Sequence, residues 1–519
     1  MEKQPLLPSP PGNLLHSIPS AGYRKQQERK TLKLILLGVL VFSVLHLWKI
    51  WHWRSKALHP PATSVDPPPF YSSVRTTKIC TNEDHSAVGY AGYIALDDET
   101  PDNHRRSFFW LFRAQNDPDN APVILTIGGG PGTSGLTNPL FGQSHCVIAA
   151  NGTTKPNPVP WSEHYNLLAL DHPIGTGMSY GTHVNNSRSA AYDVYDFLQK
   201  FYRLYPNLRK NKFVVSGGSY GGIYVPHIGH VVHEENKKVA SGRGQPGAKH
   251  INLDSLMISN PWSVSRCTTY ASCDSWRQDA EMHMRWLLQQ RCYYTSLYNS
   301  TQCSDFYELL PVCLDAVSYG LSNSTAYNRR QALHTCYPII GGDTHGWDLQ
   351  DVRNHCGDTT EIEVCYPDWP WLEEFLNKTH TREELGIPDH VVYHALTYQI
   401  GVEFSENGDH IQRAQLLYTP LLESGIRVLH YVGYQDANCA WPGIFAFLKL
   451  LQSPFQERFL NTPDIPWPTE DVATVRTVGK GAGNFTYILV KQAGHFVEKN
   501  QPALVKTIVE HWIENKAFS

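Results

Sequence analysis

The segment Ser216-Gly217-Gly218-Ser219-Tyr220-Gly221-Gly222 follows the apolar run Lys212-Phe213-Val214-Val215. The pentad Gly217-x-Ser219-x-Gly221 has the form of a nucleophile elbow, a tight strand-to-helix turn that lifts the serine oxygen above a sheet. Glycines flank the serine because a Cβ there would clash within the turn. A chain with this feature has to place a buried strand before Ser219 and a helix after it. It also has to supply partners for the serine, because a hydroxyl is a weak nucleophile until a base activates it.

Further apolar runs are spaced as the strands of an α/β fold. They are Ala121–Ile127, Tyr165–Asp171, Lys212–Gly217 and Leu253–Ser259, then Ile426–Gly433 and Phe485–Val490. Helix-like segments lie between or after them, at Ala190–Tyr205, Trp441–Leu451 and Ala503–Glu514. The expected architecture is a mostly parallel central sheet with helices on both faces. Residues 263 to about 395 break the rhythm and hold eight cysteines: Cys267, Cys273, Cys292, Cys303, Cys313, Cys336, Cys356 and Cys365. A disulfide-rich insertion between two halves of a sheet reads as a cap over the active site; a separate small domain is the alternative.

Eleven cysteines allow up to five disulfides and one leftover thiol in an oxidising compartment. Two features point to such a compartment. The first is a set of glycosylation sequons at Asn151, Asn185, Asn299, Asn323, Asn377 and Asn484. The second is an apolar segment within residues 32–53, preceded by Arg24, Lys25, Arg29, Lys30 and Lys33. It reads as an uncleaved signal anchor, with residues 1–31 cytosolic and the remainder luminal. A cleaved signal peptide is the rival, but the polar stretch before it is long and no small-x-small site follows. Residues 54–75 read as a stalk, since His59-Pro60-Pro61 and Pro67-Pro68-Pro69 can build neither helix nor central strand. The catalytic domain is expected over 76–519. In the tail, Glu2-x-x-x-Leu6-Leu7 resembles the acidic dileucine signal read by clathrin adaptors, and a chance match in a disordered tail is the alternative. The formal charge of −4 is close to neutral, so nothing in it points to nucleic acid.

A serine hydrolase of this architecture takes its triad in the order Ser, Asp, His, with each residue after a strand. Asp436 follows the run Arg427–Val432, in Gly433-Tyr434-Gln435-Asp436. His495 follows Phe485–Val490, in Gln492-Ala493-Gly494-His495-Phe496. Order and placement agree, and the site belongs where sheet strands end and loops begin.

With these residues in place, the chain resembles the serine carboxypeptidase family over most of 75–519 outside the cap. The motifs are Gly128-Gly129-Gly130-Pro131-Gly132, Asp171-His172-Pro173-Ile174-Gly175-Thr176-Gly177, Gly433-x-x-Asp436-x-x-Cys439 and Gly494-His495. The resemblance implies an α/β-hydrolase fold. It implies that Ser219 forms an acyl-enzyme, His495 moves the proton and Asp436 orients the imidazole. It further implies an oxyanion hole from the backbone N–H groups of Gly130 and Tyr220, and makes Cys439 the unpaired thiol. No metal or organic cofactor is needed for this mechanism.

One part of the family pattern is missing. The family holds a peptide's terminal carboxylate with an Asn before the glycine-proline loop, a Glu inside the elbow and a Glu about a dozen residues past the loop. Here these positions are Gly128, Gly218 and the neighbourhood of Gly142-Gln143. Thr133 also stands where many members have a disulfide cysteine. Gly128, Gly129, Gly218 and Phe496 are therefore the expected substrate-facing positions, with Phe496 on the leaving-group side. Three functions remain open. One is a carboxypeptidase that binds the carboxylate by other groups, Gln143 or cap residues among them. The second is an esterase or acyltransferase using the same triad, and the third is a non-catalytic binding protein. Loss of the carboxyl pair removes one reason for an acid optimum, so the pH profile is expected to follow His495 and to extend toward neutrality.

Overall fold

The computed structural model describes residues 43–49, 69–80, 88–262, 279–357 and 365–518. The chain divides after Pro67 into two units. In the first, residues 43–49 are helical with exposed side chains; the rest of the expected anchor at 32–53 and the tail with Leu6 and Leu7 lie outside the described residues. Among the described residues no helix is long and apolar enough to cross a membrane.

The second unit is built on one twelve-stranded sheet. Its strands begin with β1 (Ser72–Thr77), β2 (Gly89–Ala95), β3 (Arg105–Phe112) and β4 (Val123–Ile127). A separate two-stranded ribbon is formed by β5 (Cys146–Ala149) and β6 (Thr153–Pro156). Then come β7 (Asn166–Leu170), β8 (Tyr180–Gly181), β9 (Phe213–Gly218) and β10 (Leu253–Ser259). The series ends with β11 (Arg427–Gly433), β12 (Ile465–Pro466), β13 (Ala473–Val478) and β14 (Phe485–Val490). The order is β1-β2-β3-β7-β4-β9-β10-β11-β14-β13-β12, with β8 beside β3.

The six strands expected from apolar runs are the parallel centre: β7, β4, β9, β10, β11 and β14. They are apolar along their length because both faces are covered. Successive residues of β4 show this, with Leu125 packing into the core on one face and Ile124 into the core on the other. The first face is covered by the helices Ser187–Leu204 and Gly221–Ala240, through Phe197, Phe201 and Ile223. The second is covered in part by the helix Pro502–Ile513, through Val509 and Trp512. The antiparallel margins were not anticipated. One consequence is that Ser72–Arg75, assigned to the stalk, belong to β1 and pair with β2.

Much of the described part of the insertion is helical, with irregular chain over residues 341–357. The helices Ser300–Ser322 and Ala326–Ile340 form a hairpin tied by Cys313–Cys336. The first begins with a capping box: Asn299 accepts from the Gln302 N–H, and Gln302 accepts from the Asn299 N–H. Cys292–Cys303 and Cys356–Cys365 are further bridges, and Cys80–Cys146 joins the segment after β1 to β5. Cys267 and Cys273 lie outside the described residues. Among those described, Cys439 is the free and buried thiol, as expected.

Candidate active site

Strand order reverses between β4 and β9, because the chain goes from β4 outward to β7 and then returns to the other side. A crevice opens at such a switch point beyond the carboxyl ends of the strands. The Gly128–Gly132 loop leaves β4 there and Ser219 leaves β9. Asp436 follows β11 and His495 follows β14, so all of the predicted catalytic residues gather at one end of the sheet.

Ser219 has φ 58°, a left-handed conformation that costs a non-glycine residue energy and persists only where the surroundings enforce it. The enforcement comes from the turn after β10. Ser219 N–H donates to Ser259 O (3.1 Å), and Trp262 N–H donates to Ser219 O (2.7 Å). On the other side the glycine-proline loop comes very close. A Cβ on Gly129 would lie 2.6 Å from Gly218 O and 2.8 Å from Ser219 Cβ, so glycine is required by proximity. The backbone N–H groups of Gly130 and Tyr220 donate to no acceptor among the described residues. Tyr220 is fixed from its far end, where its hydroxyl donates to Asp409 Oδ2 (2.7 Å).

Asp171 braces the glycine-proline loop. Its carboxylate accepts from Ser134 Oγ (2.5 Å) and Gly135 N–H (3.0 Å) on one side, and from Met178 N–H (2.7 Å) on the other. Burial pushes its pKa up to about 6 in spite of those donors. The motif beginning at Asp171 is thus a strut for the loop that carries Gly130.

His495 Nδ1–H donates to Asp436 Oδ2 at 2.7 Å. Asp436 is fully buried. Its Oδ1 accepts from the N–H groups of Asn438 (2.8 Å) and Cys439 (2.9 Å), and its Oδ2 also accepts from Asn260 Nδ2 (2.5 Å). Asn260 was not anticipated. It sits just past β10 with φ 38°, and its Oδ1 accepts from Gly433 N–H (3.1 Å). One amide therefore holds the Asp436 carboxylate and the strand end that delivers it. The signal in the sequence was only an Asn-Pro pair at the end of an apolar run.

Burial disfavours the charged imidazole, but the Asp436 carboxylate and hydrogen bonds to Asp436 and Cys439 outweigh it, so the His495 pKa is raised well above its usual value. The Cys439 thiol interacts with both His495 and Ser219, and burial holds its pKa up, so it stays neutral. Asp436, Cys439 and His495 bring their polar atoms within 4.8 Å of one another. No direct hydrogen bond joins Ser219 to His495 among the described residues; both line one cavity of about 820 Å³.

Gly129, Gly218 and Phe496 line that cavity, as expected. Phe496 packs its ring on Tyr366 and Trp369, with centroids 5.1 and 6.3 Å away, and Phe141 continues the aromatic wall. Gly128 does not line the cavity. A Cβ on it would strike Thr133 O at 2.0 Å, so the loop has folded in on the place where the family's Asn would stand. The insertion contributes Leu333, His334 and Tyr337, which makes it a cap over the site. Of the sequon asparagines, Asn151, Asn185, Asn299 and Asn323 are exposed, and Asn377 and Asn484 are half-buried. The Asn377 amide nitrogen is occupied, donating to Glu373 O and Tyr393 O, so the fold does not present it for a glycan.

A sheet of this topology, with a positive-φ serine at its switch point and a buried Asp–His pair, defines an α/β-hydrolase of the serine type. Comparison with known proteins narrows the class. The serine carboxypeptidase family profile matches residues 81–515, and the chain belongs to that family. It is 30% identical over 429 residues to carboxypeptidase Y homolog A of Sclerotinia sclerotiorum, covering 82% of this chain and 73% of that protein. It is 28% identical over 443 residues to the vacuolar serine-type carboxypeptidase ATG42 of Saccharomyces cerevisiae, covering 83% and 80%. Its fold is similar to the crystal structure of Kex1Δp, a prohormone-processing carboxypeptidase from Saccharomyces cerevisiae, with a TM-score of 0.68 at 18% identity. That match covers 85% of this chain and 94% of the other.

Proposed function

We propose that Ser219, His495 and Asp436 carry out serine-type carboxypeptidase chemistry, releasing C-terminal residues from peptides. The observation that carries this reading is the Nδ1–Oδ2 hydrogen bond of the His495–Asp436 pair in the cavity lined by the strained elbow serine. With Nδ1–H committed to Asp436, Nε2 of the neutral ring is the base. Ser219 Oγ attacks the scissile carbonyl and its proton passes to Nε2. The N–H groups of Gly130 and Tyr220 are the donors assigned to the oxyanion, each worth on the order of 100- to 1000-fold in rate. The proton then goes to the leaving amine, and water repeats the sequence on the acyl-enzyme.

A second reading, esterase or acyltransferase, is favoured by one observation: the elbow and loop positions of the family's carboxylate clamp are Gly218 and Gly128. The test is to incubate the purified luminal portion with a blocked dipeptide bearing a free C-terminus and with its amide and ester analogues. Release only from the free acid, absent in Ser219→Ala, supports the carboxypeptidase. Turnover of the ester with the free acid untouched supports the second reading.

We further infer that residues 32–53 anchor the protein with its catalytic unit in the lumen of the secretory system. The basic flank before the segment, the four bridges and the exposed sequons support this. The yeast relative is a vacuolar carboxypeptidase, which supports a vacuole-like destination. A fusion carrying Leu6→Ala and Leu7→Ala that keeps its location under the microscope excludes the dileucine motif as the sorting signal.

A further inference from the structure

A free C-terminal carboxylate entering this cavity needs donors, and the family's usual ones are absent. Lys499 is the one Lys or Arg lining the cavity among the described residues, and its Nζ is held by Asp368 Oδ1 at 2.6 Å.

Glu498 lines the same cavity, three residues past His495. A Cβ built on Gly142 would lie 3.8 Å from Glu498 O and 4.0 Å from Glu498 Cβ. Glu498 thus stands against the position from which the family's distal Glu would project. The elbow position shows the same replacement, since a Cβ on Gly218 would lie 2.5 Å from Ser259 Oγ. These groups meet at Tyr431, which is fully buried. Its hydroxyl donates to Glu498 Oε1 (2.5 Å), and it interacts with the side chains of Ser216 and Ser259. Beside them Gln143 is only 3% exposed, and its Oε1 accepts no hydrogen bond among the described residues. A buried acceptor left without a donor is costly, so this end of the cavity calls for a ligand that brings one.

We propose that Glu498 forms the subsite that takes the free C-terminal carboxylate of a peptide, with Tyr431 positioning Glu498. This rests on the carboxypeptidase reading above. Glu498 acts as a neutral acid whose O–H donates to one oxygen of the substrate carboxylate. Burial raises the Glu498 pKa, opposed by the Tyr431 hydrogen bond and the charge of His495. The other charged groups nearby are Lys499 and Asp368, which neutralise each other, and the facing segment Pro139–Gln143 carries no ionisable side chain. Two carboxylates cannot share the subsite, so affinity falls as pH rises through the raised Glu498 pKa. The pH profile then has two limbs of different origin: kcat follows His495, and KM follows Glu498. This replaces the expectation of a profile set mainly by His495.

The experiment measures kcat and KM against pH for a blocked dipeptide free acid and its ester, with wild type, Glu498→Ala and Glu498→Gln. Labelling of Ser219 by a fluorophosphonate confirms that each variant is folded. In wild type, KM for the free acid rises with pH and KM for the ester does not. Glu498→Ala raises KM for the free acid by about 10- to 100-fold, at least tenfold more than for the ester. Glu498→Gln keeps a neutral donor, so it retains most of the affinity and removes the rise of KM with pH. Equal losses for acid and ester in Glu498→Ala, or an unchanged pH dependence in Glu498→Gln, overturn the subsite. A wild type that cleaves the ester in a Ser219-dependent way but never the free acid overturns the carboxypeptidase reading itself.

Discussion

The two ends of the cavity are built by opposite rules. At the triad end, side chains come from strand termini, and the backbone around them is tight enough that glycine is forced at Gly129 and Gly433. A Cβ on Gly433 would lie 2.0 Å from Gly494 O. Every oxygen of Asp436 has partners. At the other end the positions that could carry carboxyls are glycines, and polar atoms arrive from separate elements: Ser259 from β10, Tyr431 from β11 and Glu498 from past His495. A proton-transfer triad of the kind proposed tolerates no substitution of type, because proton transfer depends on each group's chemistry. A carboxylate site needs only donors in the right place, so it can be rebuilt from whichever residues surround the gap.

Asp436→Asn tests the rigid end and has the largest expected effect. The amide can present its N–H to His495 and select the wrong tautomer, and kcat should fall by about 10⁴-fold with KM little changed. The same change removes the carboxylate that raises the His495 pKa. Burial then dominates and lowers it, so the acid limb of the residual activity should move to lower pH. A loss under about tenfold would mean that Asp436 only holds the loop.

Arg291→Met tests whether the rigid end depends on the cap. Arg291 is fully buried and donates to Ile339 O (2.8 Å) and Ile340 O (2.9 Å), the last carbonyls of the cap helix Ala326–Ile340. It also donates to Ala437 O (2.9 Å), next to Asp436. One guanidinium therefore caps a helix end and pins the Asp436 loop. Its removal leaves buried carbonyls unpaired and should cost roughly 2–4 kcal/mol in denaturant unfolding. It should also lower kcat more than it raises KM. Lost stability with unchanged kcat would separate cap from triad.

Asn260→Ala should lower kcat by about 10-fold, since Asp436 keeps its two backbone donors but loses one hold on Oδ2. Asn260 also shows where the sequence stopped being legible. The six central strands stood out because each is buried on both faces and reads as a continuous apolar run. The elbow, Asp436 and His495 were legible because chemistry fixes their order along such strands. Asn260 was not, because an Asn after a strand is ordinary turn chemistry until the chain folds and places it on Asp436. The margins β1, β2, β3, β12 and β13 were missed because their pairing depends on partners, not on local composition. Glu498 was missed for a related reason: a carboxylate in Val497-Glu498-Lys499 reads as solvated surface. The folded chain instead places it against Gly142 and under the Tyr431 hydroxyl.

Tyr431→Phe carries the smallest effect and bears most directly on the contrast between the two ends. The hydroxyl donates to Glu498 and so favours its ionised form, holding the pKa below the value burial alone would set. Without that donor the pKa of Glu498 rises further, and the neutral acid persists to higher pH. At low pH, where Glu498 is already neutral, KM for a free-acid peptide should change by less than about threefold. At higher pH the variant should bind better than wild type, because its KM limb has moved upward in pH. The limb of kcat should stay in place, since His495 keeps Asp436 as its partner. If instead both limbs move together, the carboxylate end is not independent of the triad, and Tyr431 couples the two through the short run from His495 to Glu498.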